Sequence, residues 1–297
     1  MERTGRVALV VGASAGFGRA TALELAKRGY RVFGGFRGTL GCFEERAQAL
    51  REAAAGVGGG IEAVALDVTD GASVIRAVEE VHDRADRIDA LINVAGIGVH
   101  GPWPSIDVES FRRQLETNLV GMYRMCLAVE PIMRAQGGGH IVNVSSDAGI
   151  RAAFWEVAYS ASKYGVEGMS FGMRLESQQF GIRVCVVEPG WYSDTEYEQR
   201  MISTVDWDNP EGPYADLVRT MGENQPKVET GKPGAEAVGI RIADILEEDD
   251  PPFQNPVGAS AVRTAGYPNW EAYEDRVFEF YSLERFRGPW ARDRQPA

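Results

Sequence analysis

In the stretch AYSASKYG a tyrosine and a lysine stand four residues apart, at Tyr159 and Lys163. On a helix that spacing brings two side chains to one face, with Cβ atoms about 5–6 Å apart. A phenol with an ordinary pKa of about 10 is a poor proton carrier at neutral pH. A neighbouring ammonium stabilises the phenolate and pulls that pKa down. Such a pair can take a proton from an alcohol or give one to a carbonyl oxygen. The chain has ten tyrosines and only four lysines (Lys27, Lys163, Lys227 and Lys232), so chance supplies roughly 0.13 such pairs by simple frequency.

Ser146 ends the run HIVNVSS, where a strand's carboxyl edge opens on a cleft. There its hydroxyl can donate to a substrate oxygen and hold it against Tyr159. Alternation sends Ser145 the other way. A second constellation, VVGASAGFGRA, carries Gly12, Gly16 and Gly18 between an apolar run and a helical pattern. Free amides and a helix dipole at that turn favour a pyrophosphate, and glycine lets the backbone approach it. The next apolar run ends VFGGFRG. An acid that would accept from a ribose 2′-hydroxyl is missing, since Phe36 takes its place and Arg37 follows. A guanidinium suits a 2′-phosphate, so NADP(H) is favoured over NAD(H).

These residues need a scaffold, and the periodicity supplies one. RVALVVG, RVFGGF, IEAVALDV, DALINVAG, HIVNVSS and IRVCVVEPG read as six strands with helices between them. Unbroken apolar strands belong to a parallel sheet covered on both faces. Right-handed crossovers then give a doubly wound, Rossmann-type α/β fold. The first helix stops at Gly29, the third is capped by Ser73, and a long fourth helix spans roughly 107–136. Asn118 lies inside that helix, although asparagine is a poor interior residue. A helix containing 158–180 carries Tyr159 and Lys163, and 234–248 reads as a further helix. PPFQNPVG is expected as an edge strand with its prolines outside.

No linker divides the chain, so residues 1–297 form one domain. Residues 191–232 break the alternation and are expected to form a substrate lid. Residues 250–297 form a C-terminal extension whose tail is aromatic, with Trp270, Tyr273, Phe278, Phe280, Tyr281, Phe286 and Trp290. That composition packs on its own subunit or a neighbour. A net charge of −12 argues against nucleic acid or an anionic membrane as partner. No apolar run reaches the length of a membrane span. Cys42, Cys126 and Cys185 sit in apolar runs as buried thiols without metal spacing, which suits a cytoplasmic protein. His82 reads as exposed, His140 as a strand-start residue, and His100 as a candidate for the substrate mouth.

The order of these motifs resembles the short-chain dehydrogenase/reductase family, in its compact rather than extended branch. The family's T-G-x-x-x-G-x-G is matched by VGASAGFG, with Val11 in the threonine position. The likeness continues through LDV, NVAG, TNLVG, IVNVSS, YSASK and EPG, and covers roughly residues 5–195. Ser146 lies 13 residues before Tyr159, the family spacing. The resemblance implies that Gly12, Ser14, Gly16, Phe17 and Gly18 form the phosphate turn, with Asp67 and Val68 at the adenine. It makes Asn93, Ala95 and Gly96 the floor beneath the cofactor, although Asn93 equally suits a tie between strands. Pro189, Gly190, Tyr192 and Thr195 fall near the nicotinamide, with Ser193 or Asp194 as alternatives to Thr195 at the carboxamide. Lys163 gains a second task, holding the nicotinamide ribose. Asn118 distorts its helix and binds a water on a proton path to Lys163.

The implied activity is NADP(H)-dependent hydride transfer between nicotinamide and a carbonyl or secondary alcohol. Trp103, Phe154, Trp155, Trp191 and Tyr192, on loops after the strands, suit a bulky or aromatic small-molecule substrate. FRG and PPFQNPVG loosely resemble the hydroxysteroid and retinol dehydrogenase side of the family. The resemblance also implies a homodimer or homotetramer built through 107–136 and 157–180. Two alternatives stand beside this reading: an isomerase, lyase or epimerase using tightly bound dinucleotide, and a non-catalytic dinucleotide sensor.

Overall fold

Strand β1 (Val7–Val11) is apolar at every position and buried at every position. Only a strand with helices on both faces has that pattern. A computed structural model of the chain describes residues 5–38, 40–56, 60–192, 195, 201–224, 234–267, 270–280 and 282–286. In it β1 lies inside a seven-stranded sheet. Its neighbours are β2 (Arg31–Phe36) and β4 (Ala90–Asn93), both parallel to it. β3 (Ile61–Ala65) closes one edge. A two-residue β5 (Val99–His100) stands apart from the main sheet. On the other side follow β6 (Gly139–Val144), β7 (Ile182–Pro189) and, beyond a two-residue β8 (Ile202–Ser203), the edge strand β9 (Gln254–Val257). The sheet order is β3-β2-β1-β4-β6-β7-β9, so its direction of growth reverses between β1 and β4. In open α/β sheets a ligand crevice lies at that reversal, outside the carboxyl ends of the strands.

The seven strands of this sheet are the six that the sequence suggests and the expected edge strand within PPFQNPVG. One proline, Pro256, lies within β9 rather than outside it. The edge position explains this, because a strand paired on one side needs only half its amides.

One face of the sheet is covered by α1 (Gly16–Lys27), α2 (Leu40–Ala53) and, much later in the chain, by the helix Ala235–Ile245. A Cβ at Gly239 would lie 2.9 Å from the backbone of Ala20, so α1 and that later helix touch through glycine. The opposite face is covered by α3 (Gly71–Ala85) and by α5 (Gly121–Ala135), which continues α4 (Val108–Leu115). α3 buries Val74, Val78 and Val81, each worth about 1.5–3 kcal/mol relative to exposure. Its cap is Asp70, whose carboxylate accepts from Ala72 N, and not Ser73. Ser73 Oγ instead accepts from Asp67 N at 3.0 Å, one step back in the same turn.

The long helix expected over 107–136 runs from Val108 to Ala135 and is distorted locally, as the resemblance implies for Asn118. Between α4 and α5, residues Glu116–Val120 form a π turn with Asn118 buried inside it. α6 (Val157–Ser177) follows β6. Residues 201–224 contribute β8, which pairs in parallel with β5, and α7 (Ala215–Glu223). The helix Ala235–Ile245 is α8, and α9 (Ala259–Ala265) and α10 (Trp270–Phe280) complete the C-terminal extension. The tail packs inward: Leu283 is fully buried and Phe278 meets Phe154 edge-on, with ring centroids 5.7 Å apart. Tyr281, Trp290 and the Trp270 and Phe280 side chains lie outside the described residues. No helix among the described residues is long and apolar enough to cross a membrane.

Candidate active site

The glycine turn sits at the sheet's reversal point. Gly12 has φ +93°, and a Cβ there would lie 2.8 Å from Ala95 N at the end of β4. Gly16 has φ +49°, and the Thr195 side chain lies over it at 3.6 Å from the same hypothetical atom. A Cβ on Gly18 would collide with the Gly12 carbonyl oxygen. Ala15, the residue capping α1, has no side chain to satisfy the helix's first amides. Those amides are therefore left to a ligand, and a phosphate group fits them. Ser14 is half-buried in the turn, and Phe17 meets Tyr192 edge-on at 5.3 Å. The turn, Ala95, Tyr192 and Thr195 thus converge as the sequence suggests. Ser193 and Asp194 lie outside the described residues.

Arg37 is exposed just past β2, and Phe36 is buried. Asp67 closes a local turn, its carboxylate accepting from Thr69 N at 2.9 Å and Thr69 Oγ1 at 2.7 Å. Val68 is buried against α5, where a Cβ on Gly121 would lie 2.8 Å from it. Asn93 points sideways: its Nδ2 donates to Asn143 Oδ1 at 2.9 Å, tying β4 to β6. Pro189 and Gly190 end β7, where Gly190 N donates to Val257 O at 2.9 Å.

Tyr159 and Lys163 lie on the buried side of α6, with Lys163 Nζ 5.5 Å from the tyrosine ring centroid. Lys163 is 4% exposed and donates from Nζ to Val144 O at 2.8 Å, at the end of β6. Burial pulls its ammonium down to about 8, and the Glu167 charge partly opposes this. Two residues on, Ser146 Oγ accepts from Ala148 N at 3.1 Å and donates to Asp147 Oδ1 at 3.1 Å. Ser145 is buried on the other side, where its Oγ would crowd any Cβ on Gly149.

Asn118 ties three elements together. Its Oδ1 accepts from Ile97 N at 2.8 Å, and its Nδ2 donates to Ile97 O at 3.0 Å and to Ser162 Oγ at 3.2 Å. Ser162 Oγ in turn donates to Tyr159 O at 2.6 Å. Gly96 packs on Asn118, 3.2 Å from its Oδ1 by the same Cβ measure. The fully buried Gln114 completes the clamp, donating to Ile97 O at 2.6 Å and accepting from Val99 N at 2.7 Å. That clamp aims β5, and His100 on β5 lies 6.1 Å from Tyr159 between ring centroids.

His100 Nδ1 lies 3.9 Å from Glu156 Oε1. Burial pushes the imidazole down to about 4, while burial and then the Asp147 charge push the Glu156 carboxyl up to about 8. Both shifts favour the uncharged forms, which makes the pair a polar patch beside Tyr159 rather than an ion pair. Above it stand Phe154, Trp155 and Trp207, with Trp155 held at φ +66°. Trp103 and Trp191 are exposed nearby on their loops. His82 is half-buried rather than exposed, and His140 opens β6 as expected. Cys126 and Cys185 are buried free thiols; the Cys42 side chain lies outside the described residues.

Gln114, Asp147, Glu156 and Ser260 carry no signal in the sequence. They are single polar residues in loops or helices whose partners lie far along the chain, and no period or motif marks them.

Comparison with known proteins matches residues 6–206 to the short chain dehydrogenase family model. A 3-ketodihydrosphingosine reductase from Bacteroides thetaiotaomicron is 34% identical over 253 residues, covering 85% of this chain and 88% of that one. A bovine 17-beta-hydroxysteroid dehydrogenase type 6 is 40% identical over 187 residues, 62% of this chain and 56% of that one. The crystal structure of a short-chain dehydrogenase from Streptomyces avermitilis superposes with a TM-score of 0.77 at 29% identity, over 96% of this chain and all of that one.

Proposed function

The chain belongs to the short-chain dehydrogenase family, as a dinucleotide-dependent oxidoreductase, and from that premise we propose that it is an NADP(H)-linked carbonyl reductase or alcohol dehydrogenase for a bulky or aromatic substrate. The observation that carries this reading is the Tyr159–Lys163 pair, set beside Ser146 at the carboxyl end of β6. The glycine turn and the uncapped start of α1 would hold the pyrophosphate. Lys163 would hold the nicotinamide ribose. When bound, the dinucleotide supplies or accepts the hydride.

The residues then divide the remaining work. Ser146 donates to the substrate oxygen and fixes its position. Tyr159 gives that oxygen a proton during reduction and takes one from the alcohol during oxidation. The Lys163 ammonium favours the phenolate that remains. Asn118, through Ser162 and Ile97, holds α6 and the β5 loop in register.

Arg37 supports NADP(H), because a guanidinium attracts the 2′-phosphate and no acid stands at the end of β2 to repel it. The Phe154, Trp155, Trp207 and Phe278 rings support a bulky substrate. So does the similarity to a 3-ketodihydrosphingosine reductase and a 17-beta-hydroxysteroid dehydrogenase. Val120, Tyr123 and Leu127 on one helical face and Phe171 and Leu175 on another are exposed, which supports a homodimer or homotetramer through those helices.

The test is a panel of aliphatic, aryl and steroidal ketones with NADPH, followed by absorbance of the reduced nicotinamide. Stoichiometric loss of that absorbance with alcohol formed is expected for bulky ketones. Product formed with no net change in nicotinamide would point instead to internal redox cycling, as in an epimerase.

A further inference from the structure

Ser146 faces a conflict in its hydrogen bonding. A hydroxyl has one hydrogen and two lone pairs. Its Oγ accepts from Ala148 N at 3.1 Å and lies 3.1 Å from Asp147 Oδ1. If Asp147 is ionised, it takes the single hydrogen, and none is left for a substrate oxygen. If Ser146 turns away to serve the substrate, the half-buried Asp147 Oδ1 loses its side-chain donor, which costs a charge-assisted hydrogen bond.

The rest of the turn leaves one arrangement in which every group is satisfied. Asp147 Oδ2 accepts from Ser260 Oγ on α9 at 3.1 Å, and Ser260 Oγ accepts from Trp191 N at 3.1 Å. Ser260 therefore cannot give a second hydrogen to the acid. A hydrogen on Oδ1 reverses the bond to Ser146. Ser146 Oγ then accepts twice and has its own hydrogen free for the substrate.

We propose that Asp147 is a positioning residue that works as a carboxylic acid, donating to Ser146 Oγ and so directing the Ser146 hydrogen to the substrate oxygen. This rests on the reading of Ser146 given above. The surroundings favour the acid form. Burial raises the Asp147 carboxyl, against opposing hydrogen bonds from Ser260, Ser146 and the Ala148 and Asp147 amides. The 147–149 turn packs on α6, α9 and β7. Glu156 at the head of α6 is a second acid beside it, its carboxyl raised by burial and then by Asp147, and burial raises Glu167 and Glu188 as well. Of the cations nearby, Lys163 donates to Val144 O, and Arg151 donates to Ile150 O and Tyr267 O. Tyr159 and Tyr164, whose hydroxyl donates to Ile150 O at 2.6 Å, are the tyrosines of α6 on that side.

Two measurements on the full chain test it. The first is the infrared difference spectrum of wild type minus Asp147→Asn at neutral pH, without substrate. A carboxylic-acid carbonyl band that shifts in deuterium oxide and fades as pH rises is expected; its absence would overturn the proposal. This arm reads the proton even where no ketone is turned over, so it separates the proposal from the assigned reaction. The second compares ketone reduction by Asp147→Ala and Asp147→Asn, with NADPH affinity kept in both. The alanine variant should lose roughly tenfold or more in kcat/KM. The asparagine variant, whose amide can donate to Ser146 Oγ, should recover most of that loss and show a flatter alkaline limb than wild type. Equal losses in the two variants would sink the idea.

Discussion

At the scale of the residue, the chemistry depends on side chains kept uncharged or singly charged by burial. Arg37 is the exception, an exposed guanidinium that we propose meets the 2′-phosphate. Arg37→Asp should weaken NADPH binding by roughly tenfold or more and leave NADH binding level or improved, since a charge-assisted pair is replaced by repulsion. Fluorescence titration with both cofactors checks this; an unchanged NADPH-to-NADH ratio contradicts the assignment. Tyr159, Lys163, Ser146 and Asn118 were legible because each stands in a short motif at fixed spacing. Asp147 was hidden directly beside Ser146, because its importance comes from Ser260, 113 positions away. For Asn93 the sequence allowed both a place beneath the cofactor and a tie between strands; its amide makes the tie to Asn143, since a strand-end amide buried between two strands finds a partner across the ladder.

At the scale of the element, the strands were legible and their decorations were not. Six apolar runs gave six strands because a doubly covered sheet needs continuous hydrophobicity. The π turn at Glu116–Val120 was signalled only by the misfit of Asn118 in a helix interior. The α3 cap moved from Ser73 to Asp70 because two polar residues compete in that turn and the aspartate reaches the free amide first. β5 and β8 are two residues each and too short for any period to show. Yet their pairing carries His100 to Tyr159, so an element without sequence signature shapes the substrate side. Trp155, in a left-handed backbone conformation uncommon for an aromatic, marks the same rim as a place where the fold holds strain.

At the scale of the whole molecule, the sheet places buried acids behind the site as well as in it. Glu188 on β7 is fully buried, accepts from Asn255 N at 2.7 Å, and is pushed up to about 8 by burial and then by the Glu167 charge. Its ordinary value is 4.5, so between these limits the folded chain holds a proton that the unfolded chain has released. Stability must then fall as pH rises through that window, by up to about 1.4 kcal/mol per pH unit for this one group, and level off above it. Glu188→Gln should flatten the decline in melting temperature between acid and mildly alkaline pH, with Glu156 retaining part of it. Parallel wild-type and variant curves would show that Glu188 is not the group responsible. The whole-molecule composition fitted an α/β fold, but charge and length say nothing of where such acids lie.

The central claim, that Tyr159 moves the proton while the cofactor moves the hydride, is tested most directly by Tyr159→Phe. The measurement pairs ketone reduction with the dissociation constant for NADPH. Loss of the large majority of kcat, at a dissociation constant within about threefold of wild type, is the predicted result. Turnover at the wild-type rate with cofactor still bound would contradict it.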